Sequence, residues 1–247
     1  MSSNDDIGLL NLNDSFGSPL DLPAIEAPAI NPDEMLALLG STDAAQRTSA
    51  ARAFCEIQDD RAVAPLIALL RDPCPLVRVS ASYGLGRNTS PDAVEPLIAL
   101  LNEDWNGYVR KGAVWALGNC RDRRALEPLI RTLQGDIAAV RLWAASALGQ
   151  MGHAGYGAIV AAVPPLIVGL RQDAVSAVRS NCAWSLGQLC SDLPSNAIYA
   201  GAVDGLIEAL VEDEELGIKE DARAALLKLG DSRALQLIEE LEREGWL

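Results

Sequence analysis

A phrase of roughly thirty residues recurs along this chain: a basic residue, small apolar residues, Leu-Gly, and then a Pro-Leu-Ile run. It appears as Arg78 with Leu85-Gly86 and Pro96-Leu97-Ile98, as Arg110 with Leu117-Gly118 and Pro128-Leu129-Ile130, and as Arg141 with Leu148-Gly149 and Pro165-Leu166-Ile167. The basic position steps from Arg47 to Arg78, Arg110 and Arg141 by 31, 32 and 31 residues, then to Arg179 and Lys219 by 38 and 40. Six units follow one another, and the last two intervals are lengthened.

Each unit reads as two antiparallel helices. Val77, Ala81 and Leu85 recur at helical spacing and have counterparts in Val109, Ala113 and Leu117, so the first helix carries one apolar stripe. Leu-Gly is expected to stop that helix, since glycine accepts the left-handed backbone of a C-terminal cap. Pro65, Pro96, Pro128 and Pro165 are expected in the first turn of the second helix, where a missing N–H costs nothing. No pair covers its own apolar face, so neighbours must stack. The fold class is therefore all-α: an α-solenoid of about six helix pairs wound as a right-handed superhelix.

Nearly half the residues are hydrophobic while aromatics make up only 4%, which suits helices packed through Ala and Leu. No apolar run reaches the roughly 20 residues of a membrane span, and no basic and apolar leader opens the sequence, so a cytoplasmic protein is expected. Residues 1–31 lack Lys and Arg, carry Asp5, Asp6, Asp14, Asp21 and Glu26, and read as a disordered acidic arm preceding a solenoid at 32–247. Its apolar islands, Ile7 to Leu12 and Leu20 to Ile25, suit either a docking segment or a solubilising tail. Of the net charge of −14, the arm holds −5 and residues 204–247 hold −8. Acidic ends repel phosphate backbones, which argues against nucleic acid as the ligand. The cluster Glu212 to Glu215 reads as a solvated end cap or as a steering site for a basic partner.

With the repeat basic residue as zero, positions −1, +3 and +7 face the core. Positions +2, +5 and +9 fall on another face, one turn apart. The +5 row contains Tyr83, Trp115 and Trp184; the +2 row Trp143 and Asn181; the +9 row Arg87, Asn119, Gln150 and Gln188, while Trp105 and Tyr108 lie in the turn ahead of Arg110. Large rings outside the core stripe, flanked by Arg and amides, are what binding surfaces enrich. These eleven residues are the predicted partner-binding concave face. Asp43, Asp72, Asp104, Asp136, Asp173 and Asp213 precede the repeat basic residues by four to six positions, so every unit can pair a turn carboxylate with an Arg or Lys in a structural ladder that ties neighbouring repeats together.

Nothing spells an active site. His153 is the single histidine, in the loop Gly152-His153-Ala154-Gly155, and no nucleophile elbow, zinc helix or phosphate loop surrounds it. The five cysteines form no C-x-x-C pair. Cys182 and Cys120 read as small core residues, Cys55 and Cys190 end equivalent helices, and Cys74, in the Asp72-Pro73-Cys74-Pro75 turn, is the thiol expected at the surface and the one remote metal-ligand candidate. The lengthened units insert residues around His153 to Gly157 and around Asp192 to Tyr199, which suit either a rim of the groove or a longer turn.

The unit Val-Arg-x-x-Ala-x-x-x-Leu-Gly followed by Arg-Ala-x-x-Pro-Leu-Ile resembles the HEAT-like repeats of the phycobilin lyase family, the CpcE/RpcE/PecE type of cyanobacteria, over about residues 33–243. Asp72-Pro-Cys-Pro-Leu-Val-Arg-Val-Ser, Asp104-Trp-Asn-Gly-Tyr-Val-Arg-Lys-Gly and Val178-Arg-Ser-Asn-Cys-Ala-Trp-Ser-Leu-Gly-Gln-Leu-Cys are similar to cyanobacterial HEAT-repeat proteins of the IaiH type, which partner A-type iron–sulfur carriers. That resemblance implies a noncatalytic adaptor in iron or iron–sulfur handling, with any cluster held through the partner. The phycobilin lyase resemblance implies the alternative, a bilin lyase subunit acting on phycobiliprotein with a second HEAT-repeat subunit, in which the rings would face an open-chain tetrapyrrole and Arg87 a propionate. No lyase catalytic motif maps onto these residues.

Overall fold

The computed structural model describes residues 30–191, 193–194 and 196–245, so the expected arm at 1–31 falls almost wholly outside the described residues, as do Asp192 and Ser195 of the second insertion. Among the described residues there are thirteen α-helices and no strand. A leading helix, α1 (Pro32–Leu38), precedes six pairs: α2 (Ala44–Ala53) with α3 (Val63–Leu69), α4 (Pro75–Arg87) with α5 (Pro91–Glu103), α6 (Gly107–Cys120) with α7 (Leu126–Gly135), α8 (Ala138–Gly149) with α9 (Tyr156–Gln172), α10 (Ser176–Leu189) with α11 (Ala197–Glu212), and α12 (Leu216–Leu229) with α13 (Ser232–Glu244). Side-chain oxygens of Asn31, Asp43, Ser90, Asn106, Asn196 and Asp231 accept the first orphan N–H groups of their helices and set where each begins.

The first helices form one layer, the second helices another, and the core lies between them. Val77, Ala81 and Leu85 are fully buried, and so are Val109, Ala113, Leu117, Val140, Ala144, Leu148, Val178, Cys182 and Leu186. Each Leu at +7 contributes about 2 kcal/mol by leaving water, and the stripe is continuous from unit to unit.

The Leu-Gly glycines do not end the first helices. Gly86, Gly118 and Gly187 lie inside α4, α6 and α10, Gly149 is the last helical residue of α8, and none has a positive φ. Their task is to admit the neighbouring backbone. A methyl group on Gly118 would lie 3.1 Å from the Cα of Ala147, one on Gly149 3.1 Å from the Cα of Ser185, and one on Gly187 3.1 Å from the Cα of Ala225. Position +8 of one first helix thus meets position +6 of the next, and both must be small.

The prolines also depart from expectation. Pro65 and Pro128 do open α3 and α7, but Pro96 sits inside α5 and Pro164-Pro165 inside α9, because both helices start earlier, at Pro91 and Tyr156. The carbonyls four residues before Pro96 and Pro165 belong to Asp92 and Ala161, which are exposed and open to water.

Successive second helices stand apart. A cleft of about 610 Å³ opens between α3 and α5, one of about 330 Å³ between α7 and α9, and one of about 180 Å³ between α9 and α11. One layer is in near backbone contact and the other is splayed, so the stack bends with its first helices on the inside. The two insertions mainly lengthen α9 and α11, and they meet where Asn196 Nδ2 donates to the Tyr156 hydroxyl at 3.2 Å.

The expected carboxylate ladder between neighbouring repeats is present, each Arg gripping the Asp of the next unit. Arg47, Arg78, Arg110, Arg141 and Arg179 bind Asp72, Asp104, Asp136, Asp173 and Asp213 through paired Nε and Nη2 bonds, with shortest distances of 2.6–2.8 Å. The remaining Nη1 donates to the carbonyl of its own turn, from Arg78 to Asp72 at 2.9 Å and from Arg110 to Asp104 at 2.9 Å. Each Asp also accepts a backbone N–H of its own turn, as Asp104 does from Asn106 at 2.9 Å. At the end of the series Lys219 donates to the Val211 carbonyl instead.

Burial alone would raise the carboxyls of Asp72, Asp136 and Asp173, but the guanidinium and backbone donors outweigh it and hold them below the ordinary carboxylate range; at Asp213 the Arg179 bond is the leading influence and acts in the same direction. A carboxyl depressed in the folded state stabilises above its unfolded value near 4 and loses that contribution as pH falls through the folded value. Thermal melts should therefore be flat between pH 8 and about 5 and fall progressively below about 4. At neutral pH, Asp136→Ala should cost about 2–3 kcal/mol, because Arg110 keeps its charge without its carboxylate.

The packing makes a second, opposed pair of expectations. Gly118→Ala should destabilise by about 1–3 kcal/mol, as the added methyl meets the Ala147 backbone. Gly135→Ala, at the end of α7 with nothing within 4 Å of the added methyl, should be neutral or stabilise by about 0.5–1 kcal/mol. Chemical denaturation of the two variants checks both signs.

Candidate functional site

The inward-facing layer is buried almost all round, because each first helix touches two first-helix neighbours and the second-helix layer. On α6 the remaining partly open stripe is Lys111, Trp115 and Asn119, one residue per turn. The equivalent stripes give Arg52 and Glu56 on α2 and the turn that follows it, Tyr83 and Arg87 on α4, Trp143, Ser146 and Gln150 across α8 and its C-cap, and Asn181, Trp184 and Gln188 on α10. Ten of the eleven predicted residues thus share the inner face.

Tyr83 and Trp115 are in contact, with ring centroids 5.2 Å apart and planes tilted by 49°. The indole of Trp115 lies across Gly86 of the preceding unit, in space that any Cβ there would occupy. Burial pushes the Tyr83 phenol above its ordinary pKa, with the nearby Cys55 adding in the same direction. Trp143 is packed on one side against the core, and the Lys111 ammonium stands 4.9 Å from its ring centroid, a cation–π arrangement. Trp184 is the open ring of the row, 45% exposed. Tyr83, Trp115 and Trp143 are therefore half seated, one side against a neighbouring element and the other facing the hollow, while Trp184 stands open.

The amides are partly engaged. Asn119 Nδ2 donates to the Gly86 carbonyl at 3.1 Å, Asn181 Nδ2 to the Ala177 carbonyl at 3.2 Å, and Gln188 Oε1 accepts from Lys228 Nζ. The +2 row is less open than its spacing predicts. Ser80 and Gly112 are buried, since a methyl on Gly112 would come within 3.1 Å of Ser82 Cβ on the previous first helix. Position +1 takes part of the open face instead, which is why Lys111 was missed.

Tyr108, 75% exposed, stands seven residues ahead of Trp115 and so extends the same face toward the turn edge, as Leu76 does ahead of Tyr83. Trp105 is the exception. It lines the cleft between α3 and α5 with Arg71, Pro96 and Glu103, on the second-helix side of the ladder. The turn that places Asp104 on Arg78 carries Trp105 away from the inner face.

The cysteines behave as packing residues. Burial raises the thiol of Cys55, pushes that of Cys120 to about 11, and pushes those of Cys182 and Cys190 to about 12. Cys74, expected at the surface, is half-buried and packed against the core beneath its turn, so exposure does not set it apart from Cys55 or Cys120. Among the described residues, no three His, Cys, Asp or Glu side chains are grouped to hold a metal ion. No helix among them is long and apolar enough to cross a membrane.

Comparison with solved structures gives the same architecture. An engineered protein is 25% identical, covering 81% of this chain and 98% of its own at a TM-score of 0.61. A designed armadillo-repeat protein in complex with the peptide (KR)4 is 22% identical over 80% of this chain and 98% of its own, with a TM-score of 0.63. The complex of CpcE and CpcF of phycocyanin lyase from Nostoc sp. PCC7120 matches at 24% identity over 91% of this chain and 100% of that chain, with a TM-score of 0.57. Comparison with curated protein sequences gives no match. Models of HEAT repeats match residues 32–116 and 94–163, and a HEAT-repeat model matches residues 162–193. With more than half its length matched and its helix pairs stacked as described, the chain belongs to the HEAT-repeat family.

Proposed function

We propose that this protein is a noncatalytic scaffold that binds a protein partner along the inner face of its solenoid. The supporting observation is the row Tyr83, Trp115, Trp143 and Trp184, the first three half seated, which keeps large rings open to the hollow on closely packed helices. Rings immobilised in this way bury area against a partner with little loss of rotamer freedom. Trp115→Ala with Trp184→Ala should weaken capture of the native partner by at least about tenfold, read by pull-down from native extract. Unchanged capture by a variant that keeps its helical circular dichroism overturns the reading.

The finer assignment is a partner of the A-type iron–sulfur carrier class, supported by the sequence resemblance of the Asp72, Asp104 and Val178 segments to carrier-binding HEAT proteins. The alternative is a subunit of a phycobilin lyase. It is favoured by the likeness of almost the whole chain to a member of the CpcE–CpcF complex, in which two such proteins assemble. Mixing purified protein with phycocyanobilin separates the two. A stoichiometric absorbance shift supports the lyase subunit, while co-purification with a carrier protein and an unshifted bilin spectrum support the adaptor.

A further inference from the structure

The charge of the inner face runs against the charge of the molecule. The chain carries −14 overall, yet on the inner-face stripe of its first five units the charged residues are Arg52, Arg87 and Lys111 against Glu56. Arg52 and Arg87 are exposed and make no ion pair among the described residues, whereas the ladder arginines beneath them are each satisfied by a carboxylate. Arg121 and Arg123, also exposed, stand in the turn between the two helices of the third unit. The acids collect elsewhere: Glu208, Glu212 and Asp213 line the cleft between α9 and α11, and Glu220 and Asp221 come only with the sixth unit.

From this we infer that the groove takes an extended polypeptide segment bearing carboxylates interspersed with aromatic or aliphatic side chains, its acidic part lying over units one to three. The inference rests on the inner-face reading above and adds the chemistry of the partner. Two features select that chemistry. Cations alternate with rings along the row: Arg52, then Tyr83 with Arg87, then Lys111 with Trp115, then Trp143. A ligand must therefore offer negative charge and apolar surface in turn. Lys111 is already drawn to the Trp143 face and 4.9 Å from its centroid, so a carboxylate arriving there meets a positioned ammonium instead of a free-swinging one. A partner rich in Lys and Arg would face repulsion at the three cations, and a polyphosphate would offer the rings no apolar side chains to bury.

The test uses the full chain and three labelled probes: poly(Glu,Tyr), poly(Lys,Tyr) and a single-stranded oligonucleotide, followed by fluorescence anisotropy. Poly(Glu,Tyr) should bind preferentially, and Arg52→Glu with Arg87→Glu should weaken it by about tenfold. Arg71→Glu with Arg131→Glu, an equal change of net charge on exposed second-helix positions, should leave affinity within about twofold. All four sites are exposed, so folding is not at stake in the comparison. Preference for poly(Lys,Tyr) or for the oligonucleotide overturns the inference, as does equal loss in the two charge-reversed variants. If neither copolymer binds while partner capture still depends on Trp115 and Trp184, the stated chemistry falls and the groove stands. If capture is also indifferent to those rings, both fall.

Discussion

The structure depends on the near backbone contact between successive first helices. Position +8 of one helix meets position +6 of the next as glycine against alanine or serine: Gly118 faces Ala147, Gly149 faces Ser185 and Gly187 faces Ala225. The second helices are less closely seamed, with Gly205 of α11 close to Ile167 of α9, and clefts open between several of them. Unequal spacing of two layers bends the stack, and the bend makes a hollow. The same closeness buries each first helix on three sides, so a single stripe per helix is left for function. Curvature and the identity of the open row are thus consequences of one packing constraint.

The Arg–Asp ladder complements this seam. Van der Waals contact between small residues is short in range but tolerant of sliding along the helix axis. A bidentate guanidinium–carboxylate pair is not, because its two parallel bonds fix both distance and orientation. Each ladder Arg also holds the carbonyl of its own turn, and each ladder Asp holds an N–H of its own, so the pair links two turns whose backbone groups would otherwise be orphaned. At 5–20% side-chain exposure the pairs are sheltered enough to escape most screening and close enough to water to avoid a full desolvation cost. The seam sets how near the units lie and the ladder sets their register.

Much of this was legible in the sequence because a repeat offers each position several times. The alternation of Val, Ala and Leu at −1, +3 and +7 gave the core directly, and the rings excluded from that stripe gave most of the inner face. What failed were inferences that treated a residue by its local propensity. Gly86 and Gly118 read as helix stops by the behaviour of isolated helices, but their reason lies in a neighbouring unit about thirty residues away. Pro96 and Pro165 read as first-turn residues, whereas the Ser90 cap of α5 and, in both helices, apolar residues ahead of the prolines extend α5 and α9 through them. The carboxylates ahead of each Arg did read as a ladder between repeats, and the turn that carries them points each at the Arg of the preceding unit. Trp105 followed its turn to the other side of the ladder for the same reason.

A face with one open stripe per helix has little room to specify a partner, and the chain uses that room in a particular way. Trp115 fills the space left by Gly86, so the glycine that permits close packing also seats the ring. Trp143 holds Lys111 in the same manner, through the ring face instead of a void. In the proposed reading stability and recognition therefore share atoms along this row: the buried sides of Tyr83, Trp115 and Trp143 pack on neighbouring residues, and the open sides are what remain for a ligand. Replacing a ring removes part of the brace as well as part of the surface, whereas replacing Arg52 or Arg87 removes only charge. The cations are accordingly the cleaner reporters of what the groove binds, and the rings of whether it binds at all.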